Sequence, residues 1–551
     1  IAYLGQHWST DLDDELKSEI LSGKYKKFSR LSFEKPLLAG HAFWYFIEEK
    51  YKKENVTYFL YLARSLKNLN KACLQITNKK FKKLTKEFME YQDDKYSNDI
   101  NKRKPYPKGN YIDGVDISSR LNYYRFNVNP IKKNNSYVVT QFKKGIVRVV
   151  LNTEDGNKTI LKFGTRTYEN QMNPNYPMMA WDPKGTRISV VYAEEGRLKL
   201  FVYDVVKDYK QYKIDLTDKF DQIQDVKYMF DSRTLLFSAV KNGHTDIFTF
   251  DLEKEKIKQI TNHVYDDVDP SFVTFPNKTG IVFASNRPSG TALNGDTILP
   301  SDHRFNIFMI TDFGDKPELN QITQLTDLKY GNAKYPAQYN VNHFTFVSDE
   351  NGIANRYAGF FTTKKLGLDT LVLVGDDILR NPTQKEIDST LKVQKKEKVD
   401  SVAYVTMSAD SSYTFPLTNY AVNLAETRTA GDERILSEVS RDGDQKNLYK
   451  LKVDEYTLNK RNIIAQPTEY GKKLMRESKL TTVSSANTNS ESPKSEKKED
   501  LFQNEFAPEK KDSVGSTVKS IINNQSNDIL SRAKLFKYKP IKFSTDFGSA
   551  S

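Results

Sequence analysis

Histidine, cysteine and closely spaced carboxylates are where metal or nucleophilic chemistry would begin, and this 551-residue sequence places them poorly for either. Its six histidines, His7, His41, His244, His263, His303 and His343, include no His-x-x-x-His pair and no His-Glu pair. A catalytic zinc needs three protein ligands around one open position, with a glutamate base on the helix that carries two of the histidines. That set is not present, so no metal ligand is assigned and no cofactor is expected to be held by these residues alone. Cys73 is the single cysteine, which excludes a disulfide framework and a cysteine-based zinc cluster; in "KACLQIT" it reads as a small buried hydrophobe. There is no G-x-S-x-G nucleophile elbow, no phosphate-binding G-x-x-x-x-G-K-S/T loop and no dinucleotide fingerprint. "NGD" and "DGDQKN" lack the spaced acidic pattern of a calcium loop and read as turns.

The totals narrow the classes further. The chain is longer than one hydrophobic core usually serves, so more than one domain is expected. Net charge is +13, but both signs are interspersed and no basic run carries interleaved aromatics, so nucleic acid is not expected as a partner. No window approaches eighteen consecutive apolar residues, which excludes a membrane-spanning helix and is silent on a β-barrel. The sequence opens on Ile1 with no initiator methionine, basic n-region or apolar h-region, and is expected to be a piece of a longer protein.

Two kinds of element must position whatever these residues do. Over residues 8–96 the apolar spacing is helical: "STDLDDELKSEILSG" offers Ser9 or Thr10 as a cap, acids in the first turn, Leu12, Leu16 and Ile20 on one face, and Gly23 as the stop. Three further helical runs follow, with Phe43, Trp44, Phe46, Ile47 and Tyr51 as an aromatic packing face. "KRKPYPKGN" then punctuates the chain, and beyond it short β-branched and aromatic runs alternate with turns: "RISVVYAE", "LKLFVYDV", "TLLFSAV", "DIFTFDL", "GIVFASN", "NIFMITD", "HFTFVSD". These runs repeat as a unit. An Asp-, Asn- or Tyr-rich approach to Pro177, Pro270 or Pro336 is followed by four strands, and the unit closes on "KQIT" or "TQLT" at Ile260-Thr261 and Leu325-Thr326. One four-stranded unit cannot cover both its faces, so the units are expected to pack side by side into a ring.

The pattern carried by Asp267 or Asp269, Pro270, Gly280, Phe283, Ser285 and Arg287 resembles the TolB-type β-propeller repeat. The expected fold is mainly β: a six-bladed propeller, seven if residues 376–409 form another blade, with an N-terminal α-helical lobe. In that lobe "IAYLGQHW" and "LLAGHAFWYFIEEKY" resemble the peptidase-MA-like branch of the gluzincin metallopeptidases, at the residues that follow the third zinc ligand. The resemblance implies a zincin-derived lobe whose zinc ligands would lie upstream of residue 1. His41 is the residue of the lobe that would then bear on catalysis, by bonding a developing oxyanion; the alternative is a histidine packed among Phe43, Trp44 and Tyr45.

The expected boundaries are a helical lobe at 1–104, a linker at 105–124, the propeller at 125–474, a disordered Ser/Lys/Glu/Asn-rich segment at 475–530 and a further β region beginning at 531–551. Two insertions, 289–304 and a charged helical one at 376–400, are expected on the propeller rim. The TolB-like resemblance implies a bacterial envelope protein, periplasmic or outer-membrane associated, that captures a protein or peptide at the channel mouth without catalysis. Asp269, Asn286, Arg287 and Arg356 lie near strand ends and are the residues expected to line that mouth; the alternative for each is a hydrogen-bonded brace between blades. The competing function is a secreted zinc metallopeptidase with the propeller as a substrate filter.

Overall fold

The computed structural model describes residues 3, 7–103, 108–118, 120–131, 133–167, 173, 175–276, 278–288, 304–311, 322–375, 377–380, 382–396, 398–429, 435–452, 458 and 463–486. The expected insertion at 289–303 and the segments from 487 to 551 lie outside the described residues.

The helical lobe forms where apolar spacing and caps coincide. It comprises α1 (Thr10–Leu21), α2 (Phe28–Glu34), α3 (Pro36–Tyr51), α4 (Glu54–Leu66), α5 (Leu69–Thr77) and α6 (Phe81–Lys102). Ser9 caps α1 by accepting the Leu12 N–H at 3.3 Å, and Gly23 leaves the helix at φ +70°, where a Cβ would be strained. Asn68 caps α5 in the same way on Lys71. Leu16, Phe43, Phe46, Ile47, Phe59, Leu84 and Phe88 form the lobe's core, with Trp8 stacked on Tyr45 at 5.0 Å.

Six antiparallel four-stranded meanders follow. Blade 6 borrows its outer strand from the start of the β region, β1 (Asn110–Asp116). Blade 1 is β2 (Leu121–Val128), β3 (Tyr137–Lys143), β4 (Ile146–Thr153) and β5 (Gly156–Phe163). Blade 2 is β6 (Met178–Trp181), β7 (Arg187–Glu194), β8 (Arg197–Asp204) and β9 (Tyr209–Asp215). Blade 3 is β10 (Gln222–Tyr228), β11 (Thr234–Lys241), β12 (His244–Asp251) and β13 (Ile257–Gln259), and blade 4 is β14 (Asp267–Phe275), β15 (Lys278–Ser285), β16 (Asn306–Ile310) and β17 (Ile322–Gln324). Blade 5 is β18 (Ala333–Gln338), β19 (His343–Ser348), β20 (Asn355–Val374) and, after β21 (Asp377–Arg380) and the helix α7 (Gln384–Gln394), β22 (Ser401–Pro416). Blade 6 is β23 (Leu424–Thr429), β24 (Ile435–Asp442) and β25 (Gln445–Lys452), with β1 paired to β25 from Asn110↔Lys450 to Asp116↔Gln445. The seam closes the ring at six blades.

Each interface between neighbouring blades holds its own apolar cluster. Val149 meets Trp181 and Ile188 between blades 1 and 2, and Val191 meets Phe237 between blades 2 and 3. Ile247 meets Phe283 between blades 3 and 4, Val282 meets Phe346 between 4 and 5, Phe415 meets Leu436 between 5 and 6, and Leu448 meets Phe126 and Tyr137 across the seam. Each fully buried side chain of this kind contributes roughly 1.5–3 kcal/mol. The blades are therefore held face to face by burial, while backbone ladders hold each blade internally.

The apolar-Thr pairs that end the repeats have a structural reason. Leu216, Ile260, Leu325 and Leu417 plug the core, and the next residue, Thr217, Thr261, Thr326 or Thr418, accepts the N–H of Leu198, Ile247, Ile307 or Arg356 at the start of a third strand. In blades 3 to 5 the threonine hydroxyl then donates to Asp246, Asn306 or Asn355 at about 3 Å. Blades 4 and 5 use a neutral amide at this place; blade 3 uses a carboxylate. Burial, and next the charge of Asp267, push the Asp246 carboxyl up to about 7, against the His263 N–H, Thr261 and Arg287. In the unfolded chain Asp246 ionises near its ordinary value of 3.8, so from about pH 4 to about pH 7 the folded state holds the extra proton and stability falls as pH rises. Asp246→Asn adopts the repeat's own solution, and is expected to remove that fall and raise stability at pH 8 by on the order of 2 kcal/mol. Urea denaturation at pH 5 and pH 8 measures it; an unchanged pH slope would refute it.

The lobe rests on blades 5 and 6. Lys17 reaches Asp99 and the Ala421 carbonyl, both at 2.7 Å, Gly443 N–H donates to Ser18 at 2.8 Å, and Arg441 pairs with Glu15 and Glu19 at 3.3 and 2.6 Å. The helix α8 (Glu469–Ala486) returns to it, with Tyr470 donating to the Trp8 carbonyl at 2.7 Å. Because the turn between β24 and β25 lies under the lobe and the blades are meanders, every first strand starts at the lobe's face and ends at the opposite one.

Four expectations change here. The presumed linker at 105–124 contains β1 and the start of β2, because closure requires a strand from the chain's near end. Residues 376–409 form no seventh blade: β20 and β22 pair from Tyr357↔Pro416 to Leu373↔Ser401, β19 pairs with β20 only as far as Phe360, and the rest is an arm of β20 and β22 beyond the blade, joined by β21 at its far end. The helical part of the insertion is α7 at the arm's far end, with a Thr383/Glu386 capping box. Helix α8 runs past residue 475 to Ala486, so the segment read as disordered from 475 begins with helix.

Candidate functional site at the channel mouth

The innermost strands β2, β6, β10, β14, β18 and β23 surround the channel, and five of them are broken by a bulge. Three bulges hold Arg125, Asp269 and Tyr335 at φ +60°, +54° and +54°, a left-handed backbone that L-residues adopt at a cost. β6 keeps a regular register and supplies only Met178, Met179, Ala180 and Trp181. The channel is thus charged on five sides and apolar on the sixth.

Asp225 of blade 3 is the centre of the charge. Arg428 Nη1 donates to it at 2.9 Å, Arg125 stands at 3.8 Å and Lys227 at 4.0 Å. Burial alone would raise the Asp225 carboxyl, yet Arg428, then Lys227 and Arg125, hold it below the usual carboxylate range. Asp269 goes the other way: burial and the Asp225 charge push it up, and Lys227, Lys334 and the Tyr335 N–H, which donates at 3.3 Å, oppose this. Burial lowers the Lys227 ammonium. The fields of Asp269, Arg428, Arg125 and Asp225 all reach Tyr335, so blades 1, 3, 4, 5 and 6 converge on one axis.

Beyond this network, on the face away from the lobe, the channel widens into a cavity of about 410 Å³ to which all six blades contribute. Lys227 and Arg428 reach it from the charged network. Its apolar wall is Val128, Trp181, Phe230, Phe272 and Val341. Trp181 is pinned by its Nε1–H, which donates to the Asn127 carbonyl at 3.0 Å. Phe230 is 67% exposed and Val341 47%, and the Phe230 and Phe272 rings are 5.2 Å apart. Such an arrangement can bind and orient a ligand that has an anionic end and an apolar body.

Of the residues expected to line the mouth, Asp269 alone is placed in the channel. Arg287 is 2% exposed: its Nη2 contacts both Asp267 oxygens at 2.7 Å, its Nε donates to Ser285 at 3.0 Å, and its guanidinium stacks near Phe283 and Phe308. Asn286 is buried beside it, accepting the Asp266 N–H at 2.9 Å. Arg356 is 1% exposed and crosses from blade 5 to blade 6, donating to Glu438 at 2.6 Å and to Thr427. Arg356 braces blade 5 to blade 6, while Arg287 and Asn286 brace the end of β15 to the start of blade 4; in each case the buried guanidinium or amide is satisfied by a buried or half-buried partner. His41 is buried against Trp8 and Tyr3, ring centroids 5.2 and 5.9 Å away, and burial lowers its ring's basicity. Among the described residues no group of three or more His, Cys, Asp or Glu side chains converges to hold a metal ion.

Arg125, Asp225, Lys227, Tyr335 and Arg428 were not singled out from the sequence. Their signal was present in the approach to the repeat's proline: Asp269 and Tyr335 immediately precede Pro270 and Pro336. In blades 1, 3 and 6, where the proline is missing, nothing in the residue types marks the equivalent strand.

No family model and no curated protein matches this sequence. Solved structures to which this chain shows low similarity include the following. TolB from Acinetobacter baumannii is 14% identical, over 61% of this chain and 65% of that one, with a TM-score of 0.30. The β-propeller domain of the Trilobed protease from Pyrococcus furiosus is 11% identical, over 61% and 94%, with a TM-score of 0.31, and the tricorn protease is 12% identical, over 65% and 35%, with a TM-score of 0.32. This chain therefore spans just under two thirds of that TolB chain and about a third of the tricorn protease.

Proposed function

We propose that this chain is a non-catalytic binding platform, and that a partner protein or peptide docks at the channel mouth on the face away from the helical lobe. The observation that carries the reading is the cavity itself, walled by all six blades with buried cations behind exposed Phe230 and Val341. A bacterial envelope setting, periplasmic or attached to an outer membrane through sequence beyond residue 551, and a zincin-derived origin for the lobe belong to the same proposal. They rest on the sequence resemblances alone.

A photo-crosslinking residue placed at Phe230 or Val341 in the full-length protein in its host is expected to give one discrete adduct, and the same residue at exposed Phe33 of the lobe none. Equal adducts from Phe33, or none from the mouth, would overturn the reading.

The second reading, a zinc metallopeptidase with ligands upstream of residue 1 and the propeller as filter, is favoured by one feature: His41 Nε2 is buried without a hydrogen-bond partner among the described residues. Stoichiometric zinc in the longer protein, with peptide hydrolysis abolished by His41→Ala, would establish it in place of the first.

A further inference from the structure

We propose that the mouth is a carboxylate pocket: Lys227 and Arg428 take the carboxylate of an extended peptide segment, and Trp181, Phe230 and Phe272 take the apolar side chain beside it. The inference rests on the reading of the mouth as a docking site and adds what that site selects.

The two cations are incompletely used by the fold. Lys227 stands 4.0 Å from Asp225, beyond hydrogen-bond reach, and makes no side-chain hydrogen bond among the described residues. Arg428 spends Nη1 on Asp225, and its other N–H groups find no partner among the described residues. Both line the cavity while most of each side chain is out of water, at 17% and 14% exposed. Their remaining N–H groups open on the cavity, where a carboxylate meets them with charge-assisted bonds. Asp225 does not saturate them, because Arg125 also draws on that one carboxylate.

The rest of the cavity argues for a peptide over a small inorganic anion. A lone anion would fill a small part of about 410 Å³ and would leave the exposed Phe230 ring and its neighbour Phe272 uncovered. A carboxylate next to an aromatic or aliphatic side chain fills both halves. The carboxylate has two sources, an acidic side chain or a chain terminus, and either satisfies the chemistry.

Three probes separate the outcomes by calorimetry on the 551-residue chain: acetyl-Gly-Phe-Glu-Gly-amide, acetyl-Gly-Phe-Gly-Gly with a free carboxylate, and the neutral acetyl-Gly-Phe-Gln-Gly-amide. At least one acidic probe is expected to bind about tenfold more tightly than the neutral one, and Lys227→Gln to erase that margin. Whichever acidic probe binds identifies the source. Lys227→Gln forfeits no hydrogen bond, so it tests the pocket without orphaning Asp225; the thermal midpoint verifies folding, and Arg428→Lys, which keeps the charge, is expected to retain part of the margin. Equal binding of all three probes, or a margin that survives Lys227→Gln, overturns the carboxylate assignment and leaves the mouth a docking site. Absence of binding by every probe, with no adduct from Phe230 or Val341 in the crosslinking experiment, overturns both.

Discussion

Arg356→Met is expected to lower the stability of the propeller by roughly 3–5 kcal/mol, the largest effect of any single substitution considered. The loss does not come from the ion pair's own worth, since pairing two desolvated charges roughly repays the cost of removing them from water. It comes from what is left behind. Glu438 is 2% exposed and would keep only the Tyr420 hydroxyl, at 2.7 Å, as partner for a buried carboxylate. Thr427 and Thr345 would lose a donor at the same step. Arg233→Met is the comparison: that arginine pairs with Asp251 and Glu253 at 38% exposure, where solvent screens the pair, and its removal is expected to cost far less. Urea unfolding of both variants decides, and similar losses would contradict the argument. The double variant Arg356→Met/Glu438→Met is expected to recover part of the loss, because it removes the orphaned charge along with its partner.

Replacing residues 110–116 with a Gly/Ser segment of equal length is expected to abolish cooperative unfolding of the ring. β1 is the strand through which the first part of the β region reaches the last blade. Without it β25 becomes an unpaired edge, Ile112 and Val115 leave the seam cluster, and ends that now enclose the chain from 116 to 445 can part. Releasing a loop of that length returns about 5 kcal/mol of closure entropy to the open chain, before the lost burial is counted. The bare edge also invites association between molecules. The same replacement over 156–163 removes β5, an outer strand paired only to its sequence neighbour β4, and is expected to loosen blade 1 while the ring survives. Limited trypsin digestion and size-exclusion chromatography distinguish the two; comparable behaviour would show that closure is not what the seam supplies.

The blade repeat was legible because each blade's register is set locally. Period-two runs bounded by turns, and apolar-Thr pairs at Ile260-Thr261 and Leu325-Thr326, specify hairpins between sequence neighbours, and the first four blades are built from such neighbours throughout. The seam was not legible, since Asn110–Asp116 meets Gln445–Lys452 by a pairing across most of the chain that no local pattern encodes. Arg287 and Arg356 show the same division. Their positions at strand ends were visible in the sequence, but whether a guanidinium there faces the channel or the core depends on where the fold supplies a carboxylate, Asp267 of the same blade for Arg287 and Glu438 of the next blade for Arg356.

The sequence by itself determined that four-stranded units repeat, that a helical lobe precedes them, and that no zinc-ligand set or nucleophile elbow is spelled out. These are properties of residue type and spacing, which local backbone and burial preferences read directly. Tertiary structure alone decided that six units close the ring, that three of four expected mouth residues are buried braces, and that Lys227, Arg428, Trp181 and Phe230 share a cavity. The reason is geometric. A channel exists only once the ring is closed, and its walls come from strands about forty residues or more apart in the chain, whose bulges turn particular side chains to an axis that no single blade contains.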